Sequence, residues 1–235
     1  RGSLRTRHHY RTSIRAFGVW LEASGRTPRN PFASLEKVRN IETDRRLVRR
    51  ALSQEEFDRL IATTENSLRR FCKLRGRQRA MLYRLVAGTG LRRGEASSLH
   101  PSSFRLEAEV PHVGVAAAYT KNRKQAVQPI PPSLVPLLRG YLAGLPERPV
   151  WPVSKGMTSL MVAGDLEEAG IPVVSADGRS YDFHSIRGQF ATRLALAGVG
   201  LAAAQKLLRH STPTLTSNIY THLGLRDLGD AVAGL

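Results

Sequence analysis

Cysteine is nearly absent from this sequence: Cys72 stands alone in 235 residues. One thiol excludes an internal disulfide framework and any multi-cysteine zinc site. It fits a reducing, cytoplasmic setting. No apolar run reaches the ~18 residues that span a bilayer, so no membrane partner is expected. The amino terminus lacks the charged-then-apolar pattern of a signal peptide. It begins with Arg1 rather than methionine, from which we expect a fragment or a trimmed product. Carboxylates are scarce, and no cluster of them suits Mg²⁺. Neither a metal nor a cofactor is therefore expected. Lysine is rare as well: Lys37, Lys73, Lys121, Lys124, Lys155 and Lys206 are the only ones, and arginine supplies the rest of the positive charge.

What is present in excess is that positive charge. Lys+Arg 36 against Asp+Glu 19 gives a formal net charge of +17. The planar, weakly hydrated guanidinium suits phosphate oxygens better than an ammonium does. A polyanion, with double-stranded DNA first among them, is the expected partner.

The first fifty residues are the most basic stretch. Within them, "YRTSIRAFGVWLEASG" has helical spacing, with Ile14, Phe17, Val19, Trp20 and Leu21 as its apolar stripe and Gly25 as a stop. "TPRNPFASL" follows as a proline-broken connector. "RNIETDRRLVRR" is charged and poor in apolar residues, and reads as a linker. Three segments result: 1–40, a helical remnant; 41–51, a linker; and 52–235, the main domain with a terminal tail helix.

In the main domain, Ser53 and Glu56 form a capping box ahead of Phe57, Leu60 and Ile61. "RQRAMLYRLVAGTG" predicts a helix closed by glycines, and a further helix is expected from about Arg92 to Leu99. "HVGVAAAYT" and "QAVQPIP" predict a hairpin with Lys121 and Lys124 at its turn. Helices follow at "PPSLVPLLRGYLAGL", "TSLMVAGDLEEAG", "FHSIRGQFATRLALAGV" with Asp182 as N-cap, "LAAAQKLLRH" and "LTSNIYTHLGLRDLGDAVAGL". The expected fold is mainly α with a small antiparallel β-sheet, an α+β arrangement.

Four segments carry oddly placed polar residues. They are "TGLRRGE" with Arg92 and Glu95, "TKNRK" with Lys121, "HSIR" with His184 and Arg187, and "RHSTPTLTSNIY" with His210 and Tyr220. Singly, each reads as ordinary surface chemistry. Together and in this order, they resemble the tyrosine recombinase family, the phage integrases and the bacterial recombinases that resolve chromosome dimers. The likeness runs over about 52–223, and residues 8–35 resemble the exit of that family's DNA-clamping N-terminal domain.

The resemblance implies a metal- and ATP-independent DNA strand transferase of the tyrosine recombinase catalytic fold. Arg92 and Arg187 would grip the phosphate, with Glu95 orienting Arg92. Lys121 would be the general acid, with Lys124 its competitor for that role. His184 would serve as general base or hydrogen-bond partner, His210 would donate to a phosphate oxygen, and Tyr220 would be the nucleophile. Arg93, Arg123, Lys124 and Arg209 are the expected DNA contacts. Arg209 departs from the family pattern, which often has glycine before that histidine. The tail after Tyr220 carries Leu223, Leu225, Leu228, Ala231 and Val232, and implies a homo-oligomer, a tetramer on DNA, or a fold back on its own core. Two rival readings remain: a basic DNA-binding module without catalysis, and a type IB topoisomerase-like relaxing enzyme.

Overall fold

The computed structural model describes residues 2–39, 44, 47–71, 73–154 and 156–220, except for the side chains of 218–220. The tail proposed for assembly, from 221 onward, lies outside these residues, as does Lys155. No helix among the described residues is long and apolar enough to cross a membrane. The chain divides into two compact units, Arg1–Val48 and Arg49–Leu235.

The first unit is one long helix with an irregular return. Helix α1, Leu4–Ala23, starts six residues before the predicted stretch, which opened at Tyr10, because the Ser3 side chain accepts from the Thr6 N–H and caps it there. The return crosses α1 at Gly18. A Cβ at that position would lie 2.0 Å from the Asn30 Oδ1. Asn30 in turn donates to the Arg15 carbonyl and accepts from the Phe32 N–H. The predicted stripe is not a core here: Phe17 and Trp20 are about half exposed and stack on each other. A single helix with an irregular return has too little chain to cover its own apolar face.

The second unit is mainly helical around a three-stranded antiparallel sheet. Helix α2, Gln54–Asn66, begins at the expected Ser53–Glu56 capping box, with Phe57 and Leu60 buried. Helix α3, Gly76–Thr89, ends at Gly90, which is left-handed at φ +63. Helix α4 spans only Arg93–Ala96, half the expected length. The hydroxyls of Ser97 and Ser98 bond back to the carbonyls of Gly94 and Glu95, and the chain turns away there.

The sheet contains β1 (Phe104–Arg105), β2 (His112–Val115) and β3 (Ala126–Pro129), in the order β1-β2-β3. The predicted hairpin is the β2–β3 pair, in which Val113 faces Gln128. β1 was not expected. The alanines after β2 leave the strand for a turn of 3-10 helix, Ala117–Tyr119, so the basic segment lies on a longer loop than a tight turn. Helices α5 (Val135–Leu142), α6 (Thr158–Glu168), α7 (Phe183–Leu196), α8 (Leu201–Leu208) and α9 (Pro213–Tyr220) complete the unit.

A polar knot sits inside the core. Arg79 of α3 and Asp165 of α6 are both fully buried and make a forked ion pair at 2.7 and 2.9 Å. The Tyr83 hydroxyl donates to the same carboxylate at 2.6 Å, and Arg79 also donates to the carbonyls of Arg69 and Leu74. Burial, then the Asp165 charge, pushes the Tyr83 phenol well above its ordinary pKa. The knot ties α3 to α6 and so fixes the helix that delivers Gly90 and Arg92.

Candidate active site

Gly90 is where the polar constellation begins. Two features require glycine there: its left-handed backbone, and the Phe190 ring, which would lie 2.4 Å from an added Cβ. Gly90 thus serves the end of α3 and the packing of Phe190, while a Cβ at Gly94 would meet open space.

Two residues on, Arg92 precedes α4. Its N–H donates to the Glu95 Oε2 at 2.7 Å, and its guanidinium donates to the Glu95 Oε1 at 3.0 Å. Glu95 is 1% exposed, so this carboxylate depends on its partners rather than on water. The expected ion pair is thus formed. The same residue also fills the N-terminal acidic position that the helix dipole favours.

Helix α7 brings His184 and Arg187. Asp182 caps it by accepting from the Ser185 N–H at 2.9 Å, and Arg49 clamps Asp182 with a fork at 2.7–2.9 Å. Burial pulls the Asp182 pKa upward, but Arg49 and the Ser185 N–H outweigh it and hold the carboxyl below its ordinary range. Arg187 is 4% exposed and donates to the carbonyls of Gly90 and Leu208. Burial, with Arg92 and Arg209 nearby, lowers its pKa to about 9. It therefore still carries its charge at neutral pH, in a setting that an anion would relieve.

The turn between α8 and α9 presents Arg209 and His210. Arg209 is left-handed at φ +49, the conformation that a glycine adopts without strain. The expectation for Arg209 was a DNA contact. Its guanidinium is instead turned inward, bonded to the Glu95 Oε2 at 2.5 Å and the Gln128 Oε1 at 2.6 Å.

His210 Nδ1 lies 2.9 Å from the hydroxyl of Thr216, which is fully buried on α9. Burial, then Arg187 and Arg92, pushes the His210 pKa down to about 4. Desolvation, then Arg49 and Arg187, also lowers His184, although the residue is exposed. Both imidazoles are thus neutral near pH 7, each with one N–H donor and one lone pair. In the tautomer whose Nδ1 accepts from the Thr216 hydroxyl, the His210 proton is on Nε2.

Arg92, Glu95, Lys121, Lys124, Arg209 and His210 line a cleft of about 510 Å³. Thr120 braces the lysine loop, donating to the Lys124 carbonyl at 2.7 Å. Both candidate lysines are exposed and border the cleft, so the structure leaves either as the acid. Arg123 is exposed on the same loop. Arg93 turns away and donates to the Val153 carbonyl at 3.2 Å. His184, Arg187, Arg93 and Arg49 line a neighbouring depression of about 330 Å³. Helix α9 carries the backbone to Tyr220, whose side chain lies outside the described part.

Sequence reasoning missed three contributors: Arg49, Gln128 and Thr216. Thr216 was legible in principle, as a polar residue in the helix that follows His210. Arg49 and Gln128 carry no local signal, since each acts on a residue far away in the chain.

A model of the phage integrase family matches residues 50–225. The chain is 29% identical over 198 residues to a protein named tyrosine recombinase XerC-like from Caldanaerobacter subterraneus subsp. tengcongensis, covering 69% of this chain and 50% of that one. It is 26% identical over 229 residues to a tyrosine recombinase of Thermosipho africanus, covering 96% of this chain and 74% of that protein. The chain thus spans half the length of the first of these relatives. Among solved structures, the fold is shared with the XerH site-specific recombinase bound to palindromic difH substrate, at TM-score 0.69 and 19% identity, over 98% of this chain and 67% of that one. It is shared also with the Tn1549 transposon integrase in complex with circular intermediate DNA, at TM-score 0.66 and 17% identity, over 98% and 79%.

Proposed function

The chain belongs to the phage integrase family, and from that premise we propose that it is a site-specific recombinase that cleaves and rejoins DNA through a 3′-phosphotyrosyl intermediate. The observation that carries the proposal is the convergence of Arg92, Arg187, Arg209 and two neutral imidazoles from three separate segments. Side chains that served only to hold DNA would need no such mutual crowding of like charge.

A phosphodiester gains charge on its non-bridging oxygens as it becomes five-coordinate. Arg92 and Arg187 supply fixed donors for that charge, in a site where burial strengthens them. The Tyr220 oxygen attacks phosphorus and gives up its proton, with His184 as the acceptor. The 5′ oxygen leaves and takes a proton from Lys121, which the loop brings to the cleft. His210 donates from Nε2 to a phosphate oxygen. The ester bond is exchanged rather than hydrolysed, so a 5′-hydroxyl of another strand reverses the step without ATP. The XerH and Tn1549 neighbours are complexes with DNA. With the +17 charge, they support double-stranded DNA as the partner here.

The test is a duplex nicked beside the cleavage point, so that a short fragment diffuses away and the intermediate accumulates. We expect a detergent-stable protein–DNA adduct, with the nucleotide mapped by mass spectrometry to the peptide containing Tyr220. Binding with no adduct on any substrate carrying the cognate site would leave only the DNA-binding module. Relaxation of supercoils without strand exchange would favour the topoisomerase-like reading.

Affinity is a second prediction. Each phosphate neutralised contributes about 0.9 to the slope of log affinity against log salt, so a footprint of about six contacts gives a slope near −5. Titrating a duplex at several ionic strengths checks this, and a flat response would contradict an arginine-dominated interface.

A further inference from the structure

We propose that Arg209 is a positioning residue of the phosphate site: by sharing the Glu95 carboxylate with Arg92 it locks the Arg92 guanidinium and fixes the turn that presents His210. The site it would position is the one read above as a recombinase centre, and the inference rests on that reading.

The geometry is a closed ring. Arg92 donates through its N–H and its Nη1 to the two oxygens of Glu95, and Arg209 Nη2 donates to Oε2 at 2.5 Å. Arg92 Nη2 then closes the ring on the backbone carbonyl of Arg209 at 3.0 Å. The Arg209 Nη1 adds a third element by donating to Gln128 of β3 at 2.6 Å. Glu95 and Gln128 are each 1% exposed. The α4 start, strand β3 and the α8–α9 turn therefore meet at the Arg209 fork.

An arginine placed for DNA would point its fork outward. This one points inward from a left-handed backbone, φ +49, that an L-residue adopts only against steric resistance. The strained backbone has its compensation in the fork. With Glu95 satisfied on two sides, the Arg92 fork has little freedom to swing. Without Arg209, the buried carboxylate loses its shortest bond and the ring opens on the side of His210.

Charge points the same way. Arg92 alone would be neutralised by Glu95. With Arg209 added, the three-residue cluster keeps one net positive charge facing the cleft, where a phosphate is to be held.

The test compares the chain with Arg209→Gly, Arg209→Asn and Arg209→Lys. Glycine and asparagine both tolerate a positive φ, so they remove the guanidinium without distorting the turn, and asparagine does so without added backbone freedom. At saturating protein on the nicked duplex, the cleavage rate constant should fall about 10- to 100-fold in both, the scale on which misplacing a reacting group acts. The half-saturating concentration should stay close to wild type. Arg209→Lys keeps the charge without the fork and should fall between. In the DNA-free chain, the ¹H–¹⁵N heteronuclear NOE of the Arg92 Nε–Hε should drop in the glycine and asparagine variants.

An unchanged Arg92 signal overturns the proposal. So does an unchanged rate constant with a raised half-saturating concentration, which would make Arg209 a plain DNA contact. Should the wild-type chain itself form no adduct, the recombinase reading fails separately, and the Arg92 signal still decides the role of Arg209.

Discussion

Replacing Arg187 with alanine is expected to abolish adduct formation on the nicked duplex while changing DNA affinity only a few-fold. Loss of one pre-organised donor to a developing oxyanion typically costs about 10²–10³ in rate. Here the loss should be larger, because Arg187 also holds the chain together around the site. It donates to the carbonyl of Gly90, two residues before Arg92, and to that of Leu208, two residues before His210. Its removal leaves both segments without their common tie, in addition to removing charge from the phosphate.

Affinity should hardly respond, since it draws on many exposed cations while Arg187 is buried. Arg187→Lys should recover little, because one ammonium cannot reach two carbonyls and a phosphate as a planar fork can. Gel shift and adduct yield, measured on the same samples, separate the two effects. An Arg187→Ala chain that forms adduct at wild-type speed would remove Arg187 from the chemistry.

The second large effect concerns stability. Asp165→Ala should cost about 3–5 kcal/mol, the range for stranding one member of a buried ion pair. That is a large share of the roughly 5–15 kcal/mol that holds a typical domain folded. The variant leaves the Arg79 fork and the Tyr83 hydroxyl buried with no carboxylate to meet them. Replacing the whole knot, with Arg79→Met, Asp165→Leu and Tyr83→Phe together, should recover much of the loss, because an apolar substitute leaves no unpaired charge behind. Urea unfolding of the wild type and the two variants checks this. Equal midpoints for Asp165→Ala and wild type would mean that the ion pair contributes nothing.

The helices that carry strong local signals were legible. Ser53 with Glu56, Asp182 and Gly90 mark element ends by capping chemistry, which acts within a few residues and so shows in a linear text. β1 was not legible, since a two-residue strand has no alternation to recognise. Helix α4 stops short because two serine hydroxyls recapture its carbonyls, a competition that periodicity does not reveal. Arg79 sits in a helical pattern where a surface arginine is the ordinary reading, and only Asp165, 86 positions away, makes its burial tolerable.

The site followed the same division. The residue types and their order pointed to Arg92, Glu95, His184, Arg187 and His210, and the structure brings these side chains to the cleft and the depression beside it. The orientation of Arg209 was not legible. Whether an arginine faces out to a ligand or in to a carboxylate depends on Glu95 and Gln128, which are distant in sequence.

The ties made by Arg187 reach back 97 positions to Gly90 and forward 21 to Leu208, and those made by Arg209 reach back 114 to Glu95. The first cannot close before Arg187 has left the ribosome, nor the other two before Leu208 and Arg209 have. A nascent chain that has emerged only as far as the lysine loop therefore carries cationic surface without the side chains that order the cleft.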